Sequence, residues 1–361
     1  MNVRYSAKNA LPIILWGHAW SQARGPARPI IDMAKIELSH GSGGNKARNI
    51  IKDIFVSKFS NPILNIPDDS AKVEGDLAFT TDSFVVDPIF FPGGDIGKLS
   101  VCGTVNDLSM KGAKPLYLSV AFIIEEGFEI DDLEKIASSM AKEMKNAGVL
   151  IVTGDTKVID RKNIVPQMYI TTSGIGKIPK GIDISSKNAE IGDSIILSGT
   201  IADHGIAIMN ARNDFGFKGD LKSDCACLNG IVGKFISKDV RVLRDPTRGG
   251  LAASLNEIAE ASGVGIVIEE EKIPVLPQIK AACDLLGLDP MHVANEGKLV
   301  AFVKHSYADK ALKAVKSHKL GKNAAIIGKA VKELSGVFIR TKVGSLRPLG
   351  MLEREQLPRI C

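Results

Sequence analysis

Strand-length apolar runs alternate with stretches of helical periodicity through most of this chain. The alternation breaks once, at KIPKGIDISSKNAEIGD (177–193), a segment rich in Pro, Gly and Ser. That pattern restricts the chain to a mixed α/β architecture in two units of similar size, because alternating elements bury their apolar faces only as helix layered on sheet. A length of 361 residues agrees with two domains. Before the break the residues predict a helix from Asn45 to Lys58, a strand over Leu77–Val86, a helix ending at Gly112 and a strand over Pro115–Ile124. The clearest helix starts at Asp131 or Asp132, where a carboxylate can cap it. Leu133, Ile136, Ala137, Met140, Ala141 and Met144 then follow at helical spacing until Gly148. A buried strand over VLIVTGDT and another over Gln167–Ile178 complete the first unit.

After the break the pattern predicts strands at 194–199, 264–269, 298–304, 324–332 and 336–342, with helices at 203–212, 226–237, 249–262, 276–287 and 307–317. The expected division is an N-terminal domain over 34–180, a C-terminal α/β domain over 190–341 and a mobile tail over 342–361, which lacks periodicity and carries two prolines. Residues 1–33, with ALPIILWGHAW broken by Pro12, Gly17 and His18, read as a disordered extension or a start codon placed too early. Periodicity leaves the strand directions open.

Composition narrows the function. Lys and Arg are spread along the whole length and the net charge is +5, so no basic stripe marks a nucleic-acid surface. No apolar run approaches the roughly 18 residues that a membrane span needs. The five cysteines, Cys102, Cys225, Cys227, Cys283 and Cys361, are odd in number and irregularly spaced. That opposes a disulfide framework and favours a reducing, cytoplasmic compartment. Cys225 and Cys227 form C-x-C, but no second Cys/His pair follows at ligand spacing, so buried or idle thiols are the better reading. Neither G-x-x-x-x-G-K-[ST] nor G-x-G-x-x-G occurs, which removes the main support for P-loop and Rossmann nucleotide sites.

Five aspartates sit at strand ends or turns beside small residues: Asp69 in PDDSA, Asp82 in TTDS, Asp107 in TVNDLSMKGA, Asp155 in TGDTK and Asp245 in RDPTRGG. Any one of them alone is best read as a solvated cap. Five together point to a shared acidic cluster of the kind that holds Mg²⁺ and, through it, nucleotide phosphates. HGSGG (His40–Gly44) leads into a helix and offers backbone N–H groups to an anion, the plain alternative being a turn. Lys157 and Glu296 suit the stabilisation of transferring charge and the movement of a proton, or else serve as surface ion-pair partners. Cys361 is the last residue, at the end of a segment that, if extended from Lys342, reaches up to roughly 60 Å.

The motifs SHGSGG, TDSFVVDPIFFPGGDIGKLSVCGTVNDLSMKGA, VTGDTKV, ADHG, LRDPTRGG, ANEGKLV and the terminal PRIC together resemble the HypE family of hydrogenase-maturation carbamoyl dehydratases over about residues 34–361. TGDT, ND and the spaced aspartates are shared with a wider superfamily that includes aminoimidazole ribonucleotide synthetase, thiamine-monophosphate kinase and selenophosphate synthetase. PRIC is the discriminating motif. The resemblance implies a two-domain aminoimidazole ribonucleotide synthetase-like fold, with the N-terminal sheets of two chains pairing into the barrel-like core of a homodimer and ATP lying between domains. It implies ATP-dependent dehydration of an S-carbamoyl group on Cys361 to a thiocyanate. The carbamoyl group would come from the carbamoyltransferase HypF, and the cyano group would pass to iron on the HypC–HypD scaffold. By the same resemblance Asp69, Asp82, Asp107, Asp155 and Asp245 bind metal, and His40, Gly41, Ser42, Gly43, Gly44, Asn106 and Thr156 bind nucleotide. Lys157 and Glu296 then act beside the carboxamide. A selenophosphate synthetase would carry its reactive residue near the N-terminus, and no cysteine precedes Cys102 here. A small-molecule kinase leaves the terminal thiol without a task, and a non-catalytic thiol carrier leaves the acidic cluster without one.

Overall fold

The computed structural model describes residues 35–41, 44–213, 215, 217, 220–352 and 357. The extension over residues 1–33, Ser42, Gly43 and Cys361 lie outside them.

The N-terminal domain opens with α1 (Asn45–Ile50), which continues through a π-helical stretch, Ile51–Val56, into α2 (Ser57–Phe59). Then come β1 (Ala71–Val73), β2 (Leu77–Phe84), a small hairpin of β3 (Phe90–Phe91) and β4 (Gly94–Asp95), α3 (Ile96–Met110), β5 (Lys114–Glu125), α4 (Ile130–Ala147), β6 (Leu150–Ile159) and β7 (Met168–Lys177). The main sheet has the order β1-β2-β7-β5-β6. Its pairs are antiparallel except β5 with β6, which α4 joins as a parallel crossover.

Asp95 caps α3, its carboxylate accepting the Lys98 N–H at 2.9 Å. The helix is buried on nearly all sides because the sheet, α4 and the second domain surround it. Gly97 is required there: a Cβ at this position would stand 2.7 Å from the Ile136 carbonyl of α4. α4 follows its periodicity, burying Ile136, Met140 and Ala147 and ending at Gly148 in the left-handed conformation.

β6 departs from expectation. Its apolar run predicts a buried strand, yet it lies at the edge of the sheet, with Leu150 61% and Val158 68% exposed. Only one face of this sheet is covered, by α3 and α4. Phe79, Tyr117, Ile123 and Ile175 also remain exposed, so the other face is apolar and open among the described residues.

The C-terminal domain runs β8 (Ser194–Leu197), α5 (Asp203–Asn213), α6 (Asn229–Phe235), β9 (Val240–Arg244), α7 (Gly250–Ser262), β10 (Gly265–Glu269), α8 (Pro277–Leu286), β11 (Val300–Val303), α9 (Ala308–Lys316), β12 (Ala325–Val331), β13 (Val337–Arg340) and β14 (Leu346–Pro348). The sheet order is β14-β13-β10-β12-β8-β11-β9, with β10 and β13 the parallel pair. α7 packs with Ile195, Leu197, Ile266 and Phe302 on one face. α6 and α9 pack with Ile196, Ala301 and Val303 on the other. Helices on both faces explain why β8 and β11 read as unbroken apolar runs.

The segment read as a tail from Lys342 is partly built into this domain. β14 pairs antiparallel with β13, and Leu349 joins the core beneath α7. Leu357 is also buried, in one cluster with Ile206, Val293 and Ala294; a Cβ added to Gly205 would stand 3.2 Å from its Cδ1. Among the described residues no helix is long and apolar enough to cross a membrane.

Candidate active site

Four of the five aspartates converge. Asp69 lies in the loop before β1, Asp82 on β2, Asp107 in the last turn of α3 and Asp245 just after β9. All four line one cavity of about 360 Å³, shared with Glu296, Arg244, Arg248, His40 and Gly41. The local fold fixes the carboxylates one by one. Thr80 Oγ1 donates to Asp107 Oδ2 at 2.7 Å and Ser70 Oγ to the Asp107 carbonyl at 3.0 Å, tying α3 to β2 and to the loop ahead of β1. The Ser83 N–H donates to Asp82 Oδ1 at 2.7 Å. Arg244 reaches Asp69 Oδ1 at 3.2 Å, donates to the Pro67 carbonyl and pairs with Glu257 of α7. Next to it Asp68 pairs with Lys111 and accepts the Ser186 N–H at 2.8 Å. The two domains are thus clasped at the floor of the cavity.

Water reaches three of these aspartates through the cavity, but the surrounding protein desolvates them and they crowd one another. Burial pushes Asp245 up to about 8, helped by the charge of Asp69. Burial also raises Asp69 to about 6, against the pull of Arg244. Asp107 is held well above the usual range, first by burial and then by Asp245, Asp69 and Asp82. Asp82 is raised by burial, with Arg248 opposing. An oxygen-only donor set whose members repel one another fits a hard divalent cation, which would relieve that repulsion on binding.

Glu296 sits in the cavity wall, 3% exposed, on the segment leading into β11. Its N–H donates to Asp224 Oδ1 at 3.1 Å, and its carbonyl accepts from Ala226 N and Asn106 Nδ2, both at 3.3 Å. Burial drives its carboxyl well above the ordinary value, and the neighbouring Cys225 and Asp245 add to the shift. A carboxylate so placed is a stronger proton acceptor than an exposed one.

The remaining sequence-predicted residues divide. His40 and Gly41 line the cavity, where Arg248 donates to the Gly41 carbonyl at 3.2 Å, and buried Gly44 precedes α1. Ser42, Gly43 and Cys361 fall outside the described residues. Asn106, read as a nucleotide or metal contact, is turned to another task. Its Nδ2 donates to the Ala226 and Glu296 carbonyls and its Oδ1 accepts the Leu228 N–H at 2.7 Å, so the amide clamps the segment that carries Glu296. Asp155, Thr156 and Lys157 are not brought to this cavity by their own chain. They are exposed on β6, where Lys157 pairs with Asp155 at 2.8 Å and that hydrogen bond holds the Asp155 carboxyl low. The parallel register sets Asp155 beside Ala121 and Lys157 beside Ile123, on the open face of the sheet.

Sequence reasoning missed Arg244, Arg248, Glu257 and Asp224. Adjacency to Asp245 within LRDPTRGG was a usable signal for the two arginines. Glu257 and Asp224 carry no local signature.

Residues 67–178 match the family described as AIR synthase related protein, N-terminal domain, and residues 190–340 match AIR synthase related protein, C-terminal domain. The chain is 49% identical over 345 residues to the carbamoyl dehydratase HypE of Cupriavidus necator, covering 93% of this chain and 98% of that one. A crystal structure of a HypE–HypF complex aligns with TM-score 0.81 and 51% identity, over 84% of this chain and 99% of that one. A crystal structure of HypE in complex with ATP aligns with TM-score 0.76 and 46% identity, over 90% and 99%.

Proposed function

The chain belongs to the AIR synthase related family and, within it, to the carbamoyl dehydratases HypE, and from that premise we propose that it dehydrates an S-carbamoyl group on its own Cys361, using ATP. The observation that carries the proposal is the oxygen-lined cavity with Glu296 in its wall, in a chain that ends in a thiol.

An amide oxygen is a poor leaving group. The carboxamide oxygen on Cys361 attacks the γ-phosphate of ATP, ADP leaves, and the oxygen becomes a phosphate ester. Loss of phosphate with the two nitrogen protons leaves S–C≡N on the sulfur, a net removal of one water. Mg²⁺ held by Asp69, Asp82, Asp107 and Asp245 would neutralise the triphosphate. His40 and Gly41, which line the cavity, would lie beside the phosphates. Glu296, buried and raised, accepts a proton from the carboxamide nitrogen. Asn106 serves here by positioning Glu296.

Asp155, Thr156 and Lys157 complete the site in a homodimer. The apolar open face of the first sheet and the edge strand β6 support pairing with a second copy, which would set Lys157 of one chain beside the carboxamide of the other. A HypF-type carbamoyltransferase loads the thiol and a HypC–HypD scaffold accepts the cyano group, in the cytoplasm.

The test follows the mass of the C-terminal peptide of carbamoylated protein incubated with Mg-ATP. A decrease by one water is expected. Unchanged mass in protein that still binds nucleotide would sink the enzyme reading. Cys361→Ala abolishes acceptance of the carbamoyl group and leaves ATP binding intact.

A further inference from the structure

Three of the remaining cysteines are not scattered. Cys102 on α3 is fully buried, and its sulfur lies 3.4 Å from that of Cys227, in the loop before α6. Cys225 in the same loop is also within hydrogen-bonding reach of Cys102. Glu143 of α4 brings a carboxylate to the same place, so that one of its oxygens and the Cys102 and Cys227 sulfurs lie within 4.8 Å of one another. Asn146, one turn further along α4, donates to the Glu143 carboxylate at 3.3 Å. These ligand atoms come from three separate elements, which explains why the C-x-C spacing alone looked idle. Glu143 and Cys227 also line a second cavity of about 750 Å³, which gives the cluster a route to solvent.

We propose that Cys102, Cys227 and Glu143 form a binding site for a thiophilic divalent cation of the zinc class, with its fourth position facing the second cavity. Two thiolates and a carboxylate are the donor set for such an ion, and three protein ligands leave one position open. Zinc–sulfur bonds of about 2.3 Å at tetrahedral angles set two sulfurs roughly 3.8 Å apart, so the observed pair needs to open only slightly. The cation takes the place of the two thiol protons, which leave to solvent. Mutual hydrogen bonding with Cys225 and Cys227, and then burial, holds the Cys102 thiol well above its ordinary pKa, and a bound cation reverses that condition.

The site touches the active centre through one loop. Ala226, between the two loop cysteines, donates its N–H to the Glu296 carbonyl at 3.3 Å, and its own carbonyl accepts from Asn106 at 3.2 Å. A cation joining Cys227 to α3 and α4 therefore stiffens the segment that positions Glu296.

The experiment uses full-length Cys361→Ala protein, which removes the terminal thiol as a competing ligand, titrated anaerobically with Co²⁺. Among the described residues no cysteine lines the aspartate cavity, so a thiolate-to-cobalt charge-transfer band does not arise from cobalt bound there. The band is expected, with tetrahedral visible bands, and Zn²⁺ displaces it. In Cys227→Ser and in Glu143→Gln it weakens or disappears while ATP binding, the control for folding, is retained. Zn²⁺ also slows amide exchange at Ala226 and Leu228. Absence of the charge-transfer band, or a band unchanged in Cys227→Ser, overturns the proposal. So does a protein two hydrogens lighter that binds no cobalt, since the sulfurs would then form a disulfide. Unchanged exchange with Zn²⁺ bound overturns the link to Glu296.

Discussion

Asp107 and Asp155 arise from the same kind of sequence signal, an aspartate among small residues at the end of an element, and the fold gives them opposite surroundings. Asp107 stands in a cavity wall with three other aspartates, desolvated and driven well above its ordinary pKa. Asp155 is 60% exposed on an edge strand, and its neighbour Lys157 holds it low. The first has more negative charge nearby than its surroundings can satisfy, and so is prepared for a cation. The second has its charge already satisfied and offers it outward. In the homodimer proposed above, one chain would complete only the acidic part of the site, and the open face of the first sheet would offer the rest to a second copy.

The strongest test of that division is made in the cavity. Glu296→Gln should slow dehydration by about 10² to 10⁴-fold in single-turnover measurements, as expected for loss of a positioned proton acceptor, with ATP affinity retained. A loss of only a few-fold would return Glu296 to a structural role.

Asp245→Asn separates crowding from function. Wild-type protein should gain about 2.7 kcal/mol against unfolding at a nucleotide concentration 100 times Kd, and the variant should gain little. Without metal or nucleotide the variant should melt no lower than wild type at neutral pH, because an amide avoids the cost of burying a carboxyl that is ionised in the unfolded chain and raised to about 8 on folding. Calorimetry with and without Mg-ATP decides both parts.

The edge strand is tested by complementation. Glu296→Gln and Lys157→Ala, each impaired alone, should recover roughly a quarter of wild-type activity when unfolded and refolded together. Half of the random dimers are mixed, and each of those holds one intact shared site. If both residues serve the site of their own chain, no recovery appears.

The smallest effect belongs to the surface of β6. Val158→Glu should leave the melting of the isolated chain within about 0.5 kcal/mol, since the side chain is mostly exposed, while shifting sedimentation towards monomer. A large loss of stability in the monomer would mean that β6 is covered by its own chain.

How much of this could be read in advance depended on whether the cause was local. α4 was legible because its apolar spacing and terminal glycine lie within one helix, although it starts at Ile130 with no side-chain cap and carries Asp131 and Asp132 in its first turn instead. The central strands of the second domain were legible because helices cover both faces and leave continuous apolar runs. The exposure of β6 was not, because an apolar run says that a strand will be covered and not which chain covers it. Asn106 looked like a ligand beside Asp107; its partners at 226, 228 and 296 lie more than a hundred residues away. The short strands β1 and β14 have too few residues to show a period. Four cavity aspartates could be listed from turn chemistry, but the arginine that pairs with Asp69, and the glutamate that shares it, come together through the packing of β9 against α7.

The seat of Leu357 turns the chain's end into a short tether with a fixed post. Only four residues lead from it to Cys361, so while the leucine stays seated the Cys361 Cα keeps within about 14 Å of the Leu357 Cα, a quarter of the reach counted from Lys342. Withdrawing a buried leucine side chain costs about 1.5–3 kcal/mol, which weights the short-tether state over the released one by roughly ten- to a hundredfold. A loading enzyme must either come to that small sphere or supply the energy to lift the post.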